Sequence, residues 1–445
     1  MKEAFFSKSE PVMKIRGIHL DLKGLPPSPS RLLELLELFH IARINCVLVE
    51  WEDTYPWRIY PELKNKTAYS VKTVKKFLEK AEKLNIEVIP LVQSFGHLEN
   101  VLSKKKFSRF REIPDSVNDI CPLKKGSGKI IENMIRDILS THKNIRYFHL
   151  GGDEVWSLGS CEKCSKFVKK NGRASLYLYH LEPLFELLNS SGIRPVIWDD
   201  MMRKWDIVEL EKIGRQTSFV CWSYGKDPFN FITRDVIEKF IKAGCKLWAG
   251  SAFKGADGAY ADIPNLENRT ANMLAWVEYA KKTRIEGVIA TGWSRYNTFL
   301  SPCESIESSL DSLVLAGRIA WDGELPESIT DWVKDFLNYC QRKGVKTDHF
   351  FSCREASEQL QNWRNSAFAR IRNYLQQAHI AGEPERLNPA RAKEAKRAVS
   401  ESMDKLVHFA KEWAKAHKGL VPDLWIRKYV CSRIEPVRKI LKVLP

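Results

Sequence analysis

The chain has 445 residues, 44% of them hydrophobic, with 14 Trp, 21 Phe and 13 Tyr. That content can bury at least one large core and excludes intrinsic disorder. No stretch approaches the ~18 consecutive apolar residues of a membrane span, and MKEAFFSKSEPVMKIRG at the start has no apolar run of signal-peptide length, so the expectation is a cytoplasmic protein, nuclear as well in a eukaryotic cell, with no membrane partner.

Lys and Arg outnumber Asp and Glu by 71 to 55, a formal charge of +16. Residues 325–445 hold 23 Lys and Arg against 14 Asp and Glu, more than half of that excess. It is spread over helical stretches and forms no basic tail, which argues against a nucleic-acid partner. Ten cysteines in a chain without a leader are expected as reduced thiols. Cys46, Cys221 and Cys245 sit in apolar runs and read as small core residues. Cys161 and Cys164 form the one CxxC, in GSCEKC; Cys121 and a His could complete a zinc site, but with no second CxxC the favoured reading is a loop turn with free thiols, no metal and no cofactor.

Short β-rich runs alternate with segments of helical period. Ile15–Leu22 reads as a strand, Ser30–Ile41 as a helix and Cys46–Trp51 as a strand; the helix Ser70–Leu84, with Ser70 as its N-cap, and the strand Val88–Gln93 follow. A helix over 128–141 precedes the strand Ile145–Leu150, and Ala174–Ser190, Pro195–Trp198 and Asp206–Ile213 continue the alternation. Ser218–Trp222, Arg234–Ala243, Lys246–Ala252, Asn268–Lys282, Gly287–Gly292 and Ser305–Ile319 complete it. Eight strands with eight helices in about 310 residues fit a (β/α)8 barrel better than an eight-stranded doubly wound sheet. After about residue 325 strand signals stop, and Ser328–Arg342, Glu355–Ala378, Pro389–Ala416 and Trp425–Leu441 read as helices, with breaks at GVKTD, AGEPERLNP and HKGLVPD. The expected organisation is an N-terminal extension over 1–13, a barrel over 14–324 and an α-helical region over 325–445 that covers a barrel face, forms a homodimer interface or binds a partner.

In such barrels the chemistry sits at the C-terminal ends of the strands. Strand two ends in Trp51, Glu52 and Asp53; strand three in QSFGH, with His97; strand four in HLGGDE, from His149 to Glu154. Strand five ends in Trp198, Asp199 and Asp200, strand six in Trp222, Ser223 and Tyr224, strand seven in Phe253, Lys254 and Gly255, and strand eight in Trp293, Ser294, Arg295 and Tyr296. Carboxylates and tryptophans crowd one rim, the composition of a sugar pocket, and the basic excess is expected away from it. The sharpest signal is the Asp153–Glu154 pair after Gly-Gly. The glycines permit unusual torsions, and two like charges held so close favour one of them keeping its proton as a general acid.

RGIHLDLKG, QSFGH, HLGGDEVW and the three strand-end tryptophans resemble glycoside hydrolase family 20, the β-N-acetylhexosaminidases. LDLKG, VIPLVQSFGH, VIWDDM, SAFKGA and TGWSRY are similar to its leaderless hexosaminidase D branch, and the resemblance covers about residues 14–320. It implies exo-acting, retaining, substrate-assisted hydrolysis of glycans or glycoconjugates ending in a β-linked GalNAc or GlcNAc. By the same resemblance Glu154 is the general acid and then base, and Asp153 orients the acetamido group. Arg16 clamps hydroxyls, Trp198, Trp222 and Trp293 wall the acetamido pocket and the ring face, and His97 and His149 support the acid. Glu52, Asp53, Arg295 and Tyr296 join them as expected substrate-binding residues. Two departures stand out. The Tyr that secreted members carry on strand seven is missing from SAFKGADGAYAD, with Tyr296, ahead of Tyr224 and Tyr260, as its expected replacement; and Arg295 stands where secreted members have an acidic residue. Alternatives are a non-catalytic amino-sugar-binding protein, a two-carboxylate glycosidase using Asp199 or Asp200 as nucleophile, and a nucleic-acid-associated scaffold.

Overall fold

Eight parallel strands close into a barrel in the computed structural model, which describes residues 5–380 and 389–443. They are β1 (Ile15–Asp21), β2 (Cys46–Glu50), β3 (Glu87–Leu91), β4 (Tyr147–His149), β5 (Arg194–Trp198), β6 (Ser218–Trp222), β7 (Lys246–Lys254) and β8 (Ile285–Gly292). Each pairs with the next, and β1 closes on β8 with Gly17 opposite Ile289. The period-2 alternation of strands sorts the side chains. On β2, Cys46 and Leu48 point into the barrel with Ile89, Leu91, Val196, Val220 and Ile289, while Val47 and Val49 face the helical shell.

The helices form where the apolar period and the caps predict. The helix Val71–Lys83 starts at Ser70, whose hydroxyl accepts from the Thr73 N–H at 3.0 Å. Two local expectations fail. The helix expected over Ser305–Ile319 is a 3-10 turn, Ile306–Ser308, followed by the helix Leu310–Asp322. Distant partners hold that turn: Arg31 donates twice to the Glu307 carboxylate at 2.9 Å and His349 lies 2.7 Å from it. The CxxC is not a plain loop either, because it opens the lysine-rich helix Glu162–Asn171, with Cys161 at the N-cap position.

Beyond the barrel lie the helices Ile329–Arg342, Phe350–Ile380, Pro389–Ala416 and Asp423–Val443. The AGEPERLNP break falls on 381–389, of which 381–388 lie outside the described residues. Val333, Phe336 and Leu337 of the first helix belong to the core shared with the barrel's shell. The other three helices share a separate core built on Leu360, Tyr374, Leu406, Trp413, Tyr429 and Val437. This three-helix unit docks on the loop after β7. The Asp262 carboxylate, fully buried there, meets Arg433 at 2.7 Å, Arg364 at 2.6 Å and the Tyr429 hydroxyl. Trp425 adds an indole N–H bond to Thr67 at 2.9 Å. The unit therefore covers part of the barrel's C-terminal face. Among the described residues no helix is long and apolar enough to cross a membrane.

Candidate active site

A cavity of about 280 Å³ opens at the C-terminal ends of the strands, lined by Lys23, Gln93, His97, Asp153, Glu154, Trp222, Tyr224, Trp293, Arg295 and Tyr296 among others. The carboxylates owe their position to the turn after β4. Gly151 and Gly152 have φ of 62° and 84°. A Cβ at Gly151 would stand 1.9 Å from Gln93 Oε1, and one at Gly152 would stand 2.6 Å from the Tyr177 hydroxyl, so only glycine fits either place. Glu154 itself has a φ of 47°, a conformation unusual for a residue with a side chain, and its N–H donates to Asp200 Oδ2 at 2.9 Å.

His97 bridges the pair: its Nε2 lies 3.5 Å from Asp153 Oδ2 and 3.3 Å from Glu154 Oε2. Burial alone would lower its pKa, but the charge of Asp153, hydrogen bonds with Asp153 and Glu154, and the nearby Glu99 push it well above the usual imidazole range. His97 is thus a cation between two acids. Asp200 is a site residue the sequence reading placed only in an alternative role. Burial, then Asp153 and Asp199, raise its pKa to about 7, while the Glu154 N–H and Trp222 indole act against the shift. Trp222 donates to it at 3.3 Å. Asp199 is spent on structure, accepting from Arg203 at 2.7 and 3.0 Å and from the Trp222 N–H at 3.0 Å.

Aromatic rings form the wall. Tyr224 stacks on Trp222 with centroids 5.2 Å apart and stands 6.5 Å from Trp293. Tyr224 is deep in the cavity, and burial raises the pKa of its hydroxyl, so it stays a neutral donor. Tyr296 is 40% exposed at the rim, where its hydroxyl accepts from the Gly258 N–H at 3.2 Å. Tyr260 is exposed and does not line the cavity.

One flank carries a buried ionic network. Lys23 sits 2.9 Å from Asp21 and 3.0 Å from Glu50, with its ammonium 5.3 Å from the Trp293 ring centre. Burial opposes the charge, but Asp21, Glu50 and Glu52 hold Lys23 firmly protonated. Gln93 donates to Glu50 at 3.1 Å and keeps its Oε1 without a partner among the described residues. Lys23, Gln93 and Glu50 were all missed, although LDLKG and VQSFGH hold the first two; both lie two residues past a strand end.

Several expected residues sit elsewhere. Arg16 is at the start of β1, at the opposite end of the barrel, where it donates to the carbonyls of Arg43 at 2.7 Å and Met13 at 2.8 Å. It does not line the cavity. A residue at the second position of a parallel strand cannot reach the C-terminal rim. Trp198 is fully buried under the cavity, 4.5 Å from the His149 ring and 5.7 Å from the Trp293 ring, so it supports the floor rather than lining it. His149 is also beneath, its Nδ1 accepting from the Gly151 N–H at 3.0 Å; burial, aided by His19, lowers its pKa to about 3. Glu52 and Asp53 stand behind Arg295 and do not line the cavity. Glu52 accepts from Thr298 at 2.6 Å, and burial with the Asp53 charge raises its pKa to about 8 against the pull of Arg295 and Lys23. Asp53 is 3.7 Å from Arg295, and the Arg295 guanidinium lies 4.9 Å from the Trp425 ring centre of the helical unit.

The paired carboxylates, aromatic walls and cationic flank thus meet at the C-terminal mouth of a closed parallel barrel, the end where enzymes of this fold carry their chemistry. Residues 14–296 match the model of the glycosyl hydrolase family 20 catalytic domain. Hexosaminidase D of Bos taurus is 34% identical over 336 residues, 73% of this chain and 96% of the relative; that of Homo sapiens is 32% identical over 335 residues, 73% of this chain and 69% of the relative. In fold, the chain is similar to the crystal structure of Flavobacterium johnsoniae chitobiase, with a TM-score of 0.60 and 14% identity over 98% of this chain and 72% of that one. The chain belongs to glycosyl hydrolase family 20 and is a glycoside hydrolase of the β-hexosaminidase class.

Proposed function

We propose that the protein is an exo-acting β-N-acetylhexosaminidase that removes a terminal β-linked GalNAc or GlcNAc from a glycan or glycoconjugate with retention, by substrate-assisted catalysis. The observation that carries this reading is the juxtaposition of Asp153 and Glu154 at an aromatic-walled cavity whose other acidic candidates are occupied. Asp199 is clamped by Arg203, and both oxygens of Asp200 accept hydrogen bonds. With Asp199 and Asp200 held in this way, and with membership of family 20, where substrate-assisted hydrolysis is known, the nucleophile in this reading is the sugar's own acetamido oxygen. It forms a bond to C1 as the glycosidic C–O bond breaks, giving an oxazolinium ion. Glu154 gives its proton to the departing oxygen and takes one from the water that opens the oxazolinium. Asp153 accepts from the acetamido N–H and stabilises the positive charge that develops there. Protonated His97 holds both carboxylates in place. Trp222 and Trp293 offer flat faces to the sugar, and Tyr224 is the deep hydroxyl suited to donate to the acetamido oxygen. The ten free cysteines fit a reducing compartment such as the cytoplasm.

The test compares chromogenic β-GlcNAc, β-GalNAc, β-glucoside and β-galactoside substrates. Turnover is expected only with the acetamido sugars, and Glu154→Gln should lower it ~10²-fold or more for poor leaving groups. Equal turnover of plain hexosides overturns the acetamido route; tight amino-sugar binding with no turnover of any substrate favours a non-catalytic binding protein. Tyr224→Phe should lower kcat about tenfold or more while Tyr296→Phe changes it less, and the reverse order moves the acetamido contact to the rim.

A further inference from the structure

The loop after β3 and the loop after β4 meet at a second cluster that hydrolysis does not use. Glu112 and Cys121 come from the first loop, Cys161 and Cys164 from the second. One ligand atom from each of the four lies within 4.8 Å of every other. Cys121 Sγ is 3.7 Å from Cys161 Sγ and 3.5 Å from Cys164 Sγ, and Cys164 Sγ is 3.4 Å from Glu112 Oε2. We propose that Glu112, Cys121, Cys161 and Cys164 form a structural zinc site.

Geometry, ligand chemistry and sequence spacing support it. A tetrahedral zinc ion with Zn–S of ~2.3 Å and Zn–O of ~2.0 Å requires S···S edges of about 3.8 Å and S···O edges of about 3.5 Å. Three of the six edges differ from these by 0.3 Å or less, and the other three are no longer than 4.8 Å. Glu112, Cys121 and Cys164 are each buried to 1% exposure or below. No Lys, Arg or His among the described residues lies within ion-pair distance of the Glu112 carboxylate, so a buried anion and three thiols face one another without a cation. Zinc binding exchanges the three S–H protons for three Zn–S bonds and releases the protons to solvent, and the ion then holds the thiolates and the carboxylate by direct coordination. Cys161 and Cys164 have the C-x2-C spacing of zinc sites at the start of a helix, which gives both sulfurs to one ion from a single turn. Thiolates select zinc over hard cations, and four protein ligands leave no open coordination position, so the role is structural.

The site would act as a clip behind the catalytic machinery. Glu112 and Cys121 flank Asp119, whose carboxylate accepts from the Ser157 N–H at 2.8 Å and hydroxyl at 2.7 Å, three residues past Glu154. The same β3 loop carries His97. A metal at the cluster therefore fastens the His97 loop to the Asp153–Glu154 loop.

The test measures metal on the full chain, expressed with zinc, purified under reducing conditions and passed through a chelator. About one zinc per chain is expected by mass spectrometry of the elements, with loss to background in Cys121→Ser and in Cys161→Ser. Cobalt substituted for zinc should give thiolate-to-cobalt charge-transfer bands and tetrahedral d–d bands. Because Cys121 is fully buried and its variant could fail to fold, the stoichiometry and cobalt spectrum of the unaltered chain stand on their own. No retained zinc together with no cobalt spectrum overturns the site, as does an oxidised chain whose mass shows a disulfide among these cysteines. Zinc retained undiminished in the folded Cys161→Ser chain overturns the ligand assignment. Activity enters none of these readings, so the outcome is separate from that of the proposed hydrolysis.

Discussion

Two buried arginines lie over tryptophan rings at opposite ends of the barrel, and they differ in what is left unmade. At the N-terminal end, Arg16 has its guanidinium 4.8 Å from the Trp321 ring centre and donates to three carbonyls, those of Arg43, Met13 and Lys14. At the C-terminal end, Arg295 lies 4.9 Å from the Trp425 ring centre, donates to the Thr298 carbonyl and pairs through Nη2 with Asp53 at 3.7 Å, while Nε and Nη2 make no hydrogen bond among the described residues. The same mouth leaves Asp153 Oδ1 and Gln93 Oε1 open. Buried polar atoms are normally satisfied, so a concentration of open ones at a cavity marks where a ligand completes the hydrogen bonding. Arg16 is saturated by carbonyls, whereas Arg295, at the cavity, is not.

That contrast breaks most visibly at Asp153. Asp153→Asn should reduce kcat on the acetamido substrates by ~10² to 10³, because it removes the charge that stabilises the oxazolinium ion while leaving the cavity's shape. Steady-state kinetics beside a melting curve check this, and a fall in kcat under threefold would remove Asp153 from the chemistry. Arg295→Met comes next. Its open donors fit a sugar hydroxyl, so kcat/KM should fall about tenfold, mainly through KM, with little change in Tm. A large loss of Tm with unchanged KM would make Arg295 a second Arg16.

The sequence carries the barrel and the pair of acids because both rest on local rules. Strand and helix periods alternate, and Gly151–Gly152 before Asp153–Glu154 is legible as a turn that only glycine can make. Arg16 misled because a motif match gives residue types and their order, whereas the reach of a side chain depends on which end of the strand it occupies; in the same RGIHLDLKG segment it is Lys23 that lines the cavity. Trp198 misled because, although it ends β5 as Trp222 ends β6, its ring is packed in the barrel core beneath the cavity, whereas Trp222 and Trp293 line it. The cysteine cluster was legible in part: Cys121 is named beside the CxxC, but the fourth member is Glu112 and not a His, because two loops are brought together only by tertiary folding. The docking of the three-helix unit through Asp262 has no sequence signal at all, since its partners Arg364 and Arg433 are about 100 and 170 residues away.

Arg16→Met tests the other end of the comparison. It leaves the carbonyls of Met13, Lys14 and Arg43 without their charged donor, a loss of ~2–4 kcal/mol. The melting temperature should fall by several degrees while kcat/KM stays within about twofold for the folded protein. A selective loss of kcat/KM at unchanged Tm would return Arg16 to the substrate site.

The smallest expected effect is a pH dependence carried by Asp200. Its pKa rises from the ordinary 3.8 to about 7 in the folded chain, through burial first and then the charges of Asp153 and Asp199. Below pH 3.8 both folded and unfolded chains hold the proton and the group contributes nothing to the pH dependence. Between 3.8 and 7 the folded chain keeps a proton that the unfolded chain has released, so stability falls as pH rises. Above 7 both have released it and the penalty is constant. Asp200→Asn removes this titration while its amide oxygen can still accept from the Glu154 N–H. The Tm of the variant minus that of the unaltered protein should therefore climb by a few degrees from pH 4 to pH 7 and then level off. A difference that stays flat across that window would mean that Asp200 is ionised throughout. The acids at the mouth would then be relieved by His97 and by solvent, and the C-terminal end would be as electrostatically settled as the end that Arg16 closes.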